Sequence, residues 1–273
     1  MRGRASSTAR VRLADAAGVL HQIGFVARRS LRRTLRQPAL IVPTLVFPLF
    51  LVAINSSGLS SAAKIPGFPA DSYLDFAIVV TFIQGAMFAA ITAGTELATD
   101  IETGFLNRLQ LTPLRRVAIL VGQMAGATAV ATISAVTYLA VGLIAGVTLK
   151  SGVGGGFAII AYAVFAAVAF SGIGAIMGAR TGSAQAVQGV FPLMFTLFFL
   201  SSMNLPRNLI EIGWFRTVAT WNPISYLIEG LRSLVITGWD ATALLRGLGV
   251  GVAVLVLSFW GASRSLATRM ERT

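Results

Sequence analysis

Cysteine is absent from the 273-residue chain, and His21 is its only histidine. Disulfides and thiolate-held metals are therefore excluded, and a lone imidazole gives no basis for a histidine metal site or proton relay. Charge is scarce as well. Only 12% of residues are Asp, Glu, Lys or Arg, against roughly 25% in a soluble domain, whose surface requires them. What fills the chain instead is apolar, 55% of residues, with a mean hydropathy of +0.78. Such a chain must meet a solvent other than water. Its length suits one compact membrane domain, with little left for a second folded unit.

The net charge of +12 rests on arginine, since Lys64 and Lys150 are the only lysines. Nine arginines precede Pro38 and stand directly before the first apolar run. That placement points to anionic lipid headgroups and to a fixed orientation, not to nucleic acid.

A bilayer core about 30 Å thick takes roughly 20 apolar residues as helix. Six segments qualify, approximately 39–59, 74–98, 117–147, 156–179, 186–203 and 243–263. The third exceeds the need, so it tilts or projects. Pro43, Pro48 and Pro192 fall inside spans, where neighbouring helices can satisfy the freed carbonyls. The first run lacks a small-residue cleavage site and reads as a retained span. With the N-terminus inside, sixteen Lys or Arg residues fall on the inner side and six on the outer. Both termini are then cytoplasmic, in a multi-pass protein of the cell membrane.

Residues 1–17 read as a basic, disordered N-terminus, and 18–37 as an amphipathic elbow helix in the inner headgroup layer. Leu20, Ile23, Val26, Ala27, Leu31 and Leu35 share one arc, while Arg28, Arg29, Arg32, Arg33 and Arg36 fill the other. Gln37-Pro38 ends the helix. It serves as an orientation anchor or also touches a cytoplasmic partner. The membrane-spanning body takes 38–265, and 266–273 form a cytoplasmic tail.

The spans hold almost no central charge: Asp75 and Glu96 stand near opposite ends of the second, and Arg246 begins the sixth. Ion-coupled transporters use ionisable or unwound polar sites near the midplane. No acidic pair is found there, although Gln84, Thr132 and Thr137 remain as neutral substrate ligands. Between the second and third spans runs the cytoplasmic stretch 99–116. Asp100 and Glu102 are placed to favour a following helix start. Leu106, Leu109 and Gln110 then make a short half-apolar helix, which Pro113 stops. The stretch is either a solvated turn with an interfacial helix or a docking loop. In 204–242, Asn222 and Pro223 form an N-cap and first-turn pair. They separate two apolar stripes, one with Leu209, Ile210, Trp214, Phe215 and Val218, the other with Ile224, Leu227, Ile228, Leu231, Leu234 and Val235. This pattern fits a re-entrant helical pair or an interfacial lid with aromatic anchors.

Two runs carry a family resemblance. Asp100-x-Glu102-x-Gly104, Arg108-Leu109, Thr112-Pro113-Leu114, Arg116 and Gly122-Gln123 resemble the cytoplasmic loop of type-2 ABC exporter permeases, nearest the daunorubicin-resistance drug-efflux branch. Gln123 departs from that pattern, which usually has lysine there. Phe191-Pro192, Ser201-Ser202, Pro206, Trp214, Trp221-Asn222-Pro223, Tyr226 and Arg232 are similar to the family's late outer segment. The resemblance implies that Asp100, Glu102, Gly104, Phe105, Arg108, Leu109, Thr112, Pro113 and Arg116 couple the chain to a nucleotide-binding subunit. It implies an extracellular exit element with Pro206, Trp214, Trp221, Asn222, Pro223, Tyr226, Glu229 and Arg232. It also implies two permease subunits, identical or paralogous, and two ATPase subunits.

No G-x-x-x-x-G-K-[ST] phosphate loop occurs in the sequence. The chain is therefore expected to be no enzyme, with no catalytic or metal residues and no cofactor of its own; ATP and magnesium belong on the partner. The expected fold is an all-α membrane protein of six spans, and the expected cargo is hydrophobic or amphipathic and drug-like. The alternatives are export of a cell-envelope lipid or polysaccharide, an ion-coupled secondary transporter, or a membrane scaffold.

Overall fold

The computed structural model describes residue 18 and residues 21–110 and 116–270. The leader 1–17, Leu20, Thr112, Pro113 and the end of the tail lie outside the described residues. Among the described residues the chain is helical without strands. The helices are α1 (residues 21–35), α2 (Pro38–Gly58), α3 (Tyr73–Glu102), α4 (Phe105–Gln110), α5 (Arg116–Ile144), α6 (Gly152–Thr181), α7 (Ala184–Gly189), α8 (Phe191–Phe199), α9 (Gly213–Trp221), α10 (Pro223–Ile236) and α11 (Ala241–Met270). Five of them, α2, α3, α5, α6 and α11, are long and apolar enough to cross a membrane. This is an integral membrane protein.

The central pillar is α3. Ser72 opens it by accepting a hydrogen bond from the Leu74 N–H at 3.1 Å, and Asp75 sits in its first turn beside the positive end of the dipole. Its 30 residues extend about 45 Å at 1.5 Å per residue, well beyond a hydrocarbon core. The excess matters, because it carries Glu96 to Glu102 to a second, smaller apolar cluster that includes Leu97, Leu106, Ile119 and Leu266. Along its length α3 is buried nearly all round, whereas α2 and α11 remain mostly exposed.

Small residues let α3 and α6 meet backbone to backbone. A Cβ on Gly94 would lie 2.6 Å from the Gly174 carbonyl, and one on Gly178 would strike the Gly94 carbonyl. In lipid, where apolar burial gives little net drive between helices, such close approach is a main source of association. On the other side of α3, α2 contains Pro48, which has no N–H to offer the Thr44 carbonyl one turn earlier. The Tyr138 hydroxyl of α5 donates to that carbonyl instead. A proline inside a span is thus made tolerable by a phenol from its neighbour.

The fifth expected span departs from expectation. In place of one helix over 186–203 there are α7 and α8, separated at Val190, with Pro192 in the first turn of α8. The chain then leaves helix at Leu200, and Ser201, Ser202 and Met203 are buried in non-helical backbone. Hydrophobicity alone cannot register such a break, because the residues on both sides of it are equally apolar.

Candidate functional site

Helices α1 and α5 converge on two acids near the C-terminal end of α3. Asp100 is buried and accepts from Arg29 at 2.8 and 2.9 Å, from Arg33 at 2.9 Å and from the Gln123 amide at 2.8 Å. Both cations retain partial contact with water, while the carboxylate has almost none. Its hydrogen bonds to Asp100 hold the Arg29 guanidinium above its ordinary pKa in spite of partial burial. The same guanidinium lies 3.6 Å over the Phe105 ring.

One turn earlier, Glu96 accepts from Ser30 at 2.8 Å and from the Thr34 hydroxyl. Ser30 is shared, because its oxygen also accepts from the Gly126 N–H at 3.1 Å and lies 2.8 Å from the Gln123 carbonyl. This fit needs glycine on α5. A Cβ on Gly122 would lie 2.5 Å from Val26 Cβ, and one on Gly126 would come within 2.6 Å of Ser30 Oγ and collide with Thr34. The pair Gly122 and Gly126, four residues apart, is therefore a seat for α1, with Val26, Ser30 and Thr34 as the inserted stripe.

Arg28, Arg32 and Arg36 are exposed. The five arginines of the elbow thus divide into two that grip α3 and three that stay free of it. The apolar arc divides too: Val26 is buried against α5, whereas Leu35 is exposed. Amphipathicity marked the helix correctly, but the protein-facing stripe is small and hydroxylated. Ser30, Thr34, Glu96, Gly122 and Gly126 were missed as site residues. Their signal was the i, i+4, i+8 spacing of small residues on α1 opposite a glycine pair.

Asp100 and Glu102 stand before α4, as their positions in the sequence suggest, but both lie within the last turn of α3, which ends at Glu102. Carboxylates at a helix C-terminus oppose the dipole, and the two arginines on Asp100 offset that. Glu102 is exposed and accepts from the Ala184 N–H at 3.0 Å. Gly104 makes the turn into α4 with a φ of 66°, in the left-handed region. On α4, Leu106 is buried and Arg108 exposed. For Leu109 and Arg116 only helical backbone is described.

At the opposite end, α10 supplies polar groups to the broken end of α8. Asn222 caps α10 by accepting from Ile224 N at 2.9 Å, while its amide donates to the carbonyls of Leu197 and Leu200 at 2.7 and 3.1 Å. Ser225 accepts from Ser202 N at 3.0 Å. Arg232, buried, donates to the carbonyls of Ser202, Met203 and Phe76 at 3.1, 3.2 and 3.4 Å and lies 3.4 Å over the Phe76 ring. Buried non-helical backbone requires such internal partners. Arg207, in the turn following Pro206, pairs with Glu229 and sits over Tyr226. Burial pulls its guanidinium down, but the bonds to Glu229 and Tyr226 more than offset this and raise its pKa. Trp214 and Trp221 on α9 are exposed, apart from this cluster.

Residues 21–236 match the family model for ABC-2 type transporters. The chain is 23% identical over 214 residues to a protein of Mycobacterium tuberculosis named as a doxorubicin resistance ABC transporter permease, DrrC, covering 77% of this chain and 75% of that one. It is 27% identical over 228 residues to a transport permease, ycf38, of Pyropia yezoensis, covering 82% and 77%. Long apolar helices and a family match over most of the length agree, and the chain belongs to the ABC-2 type transporter family.

Proposed function

We propose that the chain exports amphipathic, drug-like molecules across the cell membrane, driven by an ABC ATPase that engages the Asp100–Arg116 loop and the elbow helix. The supporting observation is the buried clamp of Arg29 and Arg33 on Asp100. It ties the elbow to the inner end of the most buried helix, so force applied at either reaches the packed core. ATP energy enters as the motor's differential affinity for two permease states. The partner holds ATP and magnesium, and a second permease, identical or paralogous, completes the path. The α7–α8 pair acts as a sixth, broken span, with α9 and α10 as a re-entrant pair on the outer side. Both termini lie in the cytoplasm. The cargo class follows the doxorubicin resistance named for the mycobacterial relative and the apolar character of the helices.

Within this reading Asp100 holds the block together, while exposed Glu102 and Arg108 meet the motor. The double variant Glu102→Lys/Arg108→Glu, coexpressed with the partner ATPase, is expected to leave the permease folded. ATP-driven uptake of a fluorescent anthracycline into inside-out vesicles, which reports export, is expected to fall by about tenfold or more, as for loss of interface anchor residues. Unchanged ATP-driven export from that variant would remove the loop from the coupling surface.

A further inference from the structure

Arg232 is a cation with almost no contact with water, and among the described residues no carboxylate lies within ion-pair distance of it. Three carbonyls and the Phe76 ring solvate it in part. A guanidinium offers five N–H donors, so donors remain. A buried charge whose hydrogen-bond partners are all neutral carbonyls is costly, even with Glu229 and its partner Arg207 lining the same cavity, and an anion would relieve that cost. Arg232 also lines a cavity of about 390 Å³ together with Phe76, Asn208, Thr237 and Asp240. The nearby acids are engaged elsewhere. Glu229 pairs with Arg207, and Asp240 accepts from the Thr242 and Ala243 N–H groups that open α11.

The geometry points to an anion-binding site in this cavity, with Arg232 in its lining and a phosphate group as the ligand. Phosphate suits a planar fork of donors, and the apolar wall formed by Phe76, Pro206 and Ile236 suits the glycerol and upper chain of a phospholipid. If this end faces outward, as in the reading above, the source is an outer-leaflet lipid or free phosphate in the medium. The site's existence does not depend on that orientation or on coupling.

The test uses the full-length permease in detergent, followed by thermal unfolding and by native mass spectrometry. The probes are dihexanoyl phosphatidylglycerol, inorganic phosphate and an uncharged glucoside of the same chain length. Saturable stabilisation by the phospholipid alone identifies a lipid site, and equal stabilisation by inorganic phosphate identifies a free-anion site. Arg232→Lys is expected to weaken binding by about tenfold, through loss of the fork. Asn208→Trp, at an exposed position on the rim, is expected to block binding while leaving folding intact, and it decides the matter if the Arg232 variant does not fold. No stabilisation by either anion, stabilisation equal to that by the glucoside, or full binding to Asn208→Trp overturns the proposal. Because no transport is measured, failure here leaves the coupling reading standing, and a loss of coupling leaves this site standing.

Discussion

The two ends of the molecule solve one problem in opposite ways. At the end that the proposed function turns inward, buried polar groups are side chains: two carboxylates of α3 receive arginines and hydroxyls from α1. At the end that it turns outward they are backbone carbonyls, freed because α8 stops, and Asn222 and Arg232 serve them. The inner arrangement joins intact helices through charge, as a block. The outer one stabilises a break, as a latch.

The sharpest way to break this comparison is at Asp100. Asp100→Leu strands two arginines and an amide, and removal of one partner from a buried pair costs about 3 kcal/mol, at the low end because Arg29 and Arg33 keep some water. A markedly lower melting temperature in detergent is expected, with or without the ATPase. A stable Asp100→Leu protein would mean that the clamp is not what seats the elbow.

Asn222→Ala probes the latch. It removes an N-cap and leaves two carbonyls without donors, at a cost of about 2 kcal/mol. Faster proteolysis near residues 200–204 is expected, with α1 remaining protected. If cleavage appears at the elbow as well, the two ends are one cooperative unit and the contrast fails. Between them, Tyr138→Phe removes the phenol that serves the Thr44 carbonyl beside Pro48. A loss of about 1 kcal/mol is expected in a chemical-denaturation series, smaller because α2 can straighten little and keeps its other contacts.

The long helices, the helix α1 and the Asn222-Pro223 cap were legible because each is a local pattern: an apolar run, an amphipathic period, a capping pair. The clamp was not. Ser30 and Thr34 read as ordinary polar residues until Glu96 is brought to them from 66 and 62 positions away. The acids near 100 looked like the start of α4 because α3 was expected to end near residue 98, and its extra turn gives them the opposite role. The break at Leu200 was hidden for a similar reason, since the donors that make it affordable lie on α10. Gln123, where the family pattern usually has lysine, acquires meaning only in space. Its amide reaches Asp100, a place where lysine would add a third cation.

The smallest effect is expected where charge is paired but exposed. Lys150 and Asp71 approach to 3.7 Å, and both are well exposed. Water and salt screen such a pair, and ordering two mobile side chains offsets most of its attraction. Lys150→Ala should change stability by no more than about 0.5 kcal/mol, even though it removes one of only two lysines. The loop it belongs to is held by other means, since the Lys150 and Ser151 N–H groups bond the carbonyls of Val235 and Leu234. Alanine keeps both backbone donors. A loss near that expected for Asp100→Leu would show that the outer end also depends on charge, and the division between a charged block and a backbone latch would have to be redrawn.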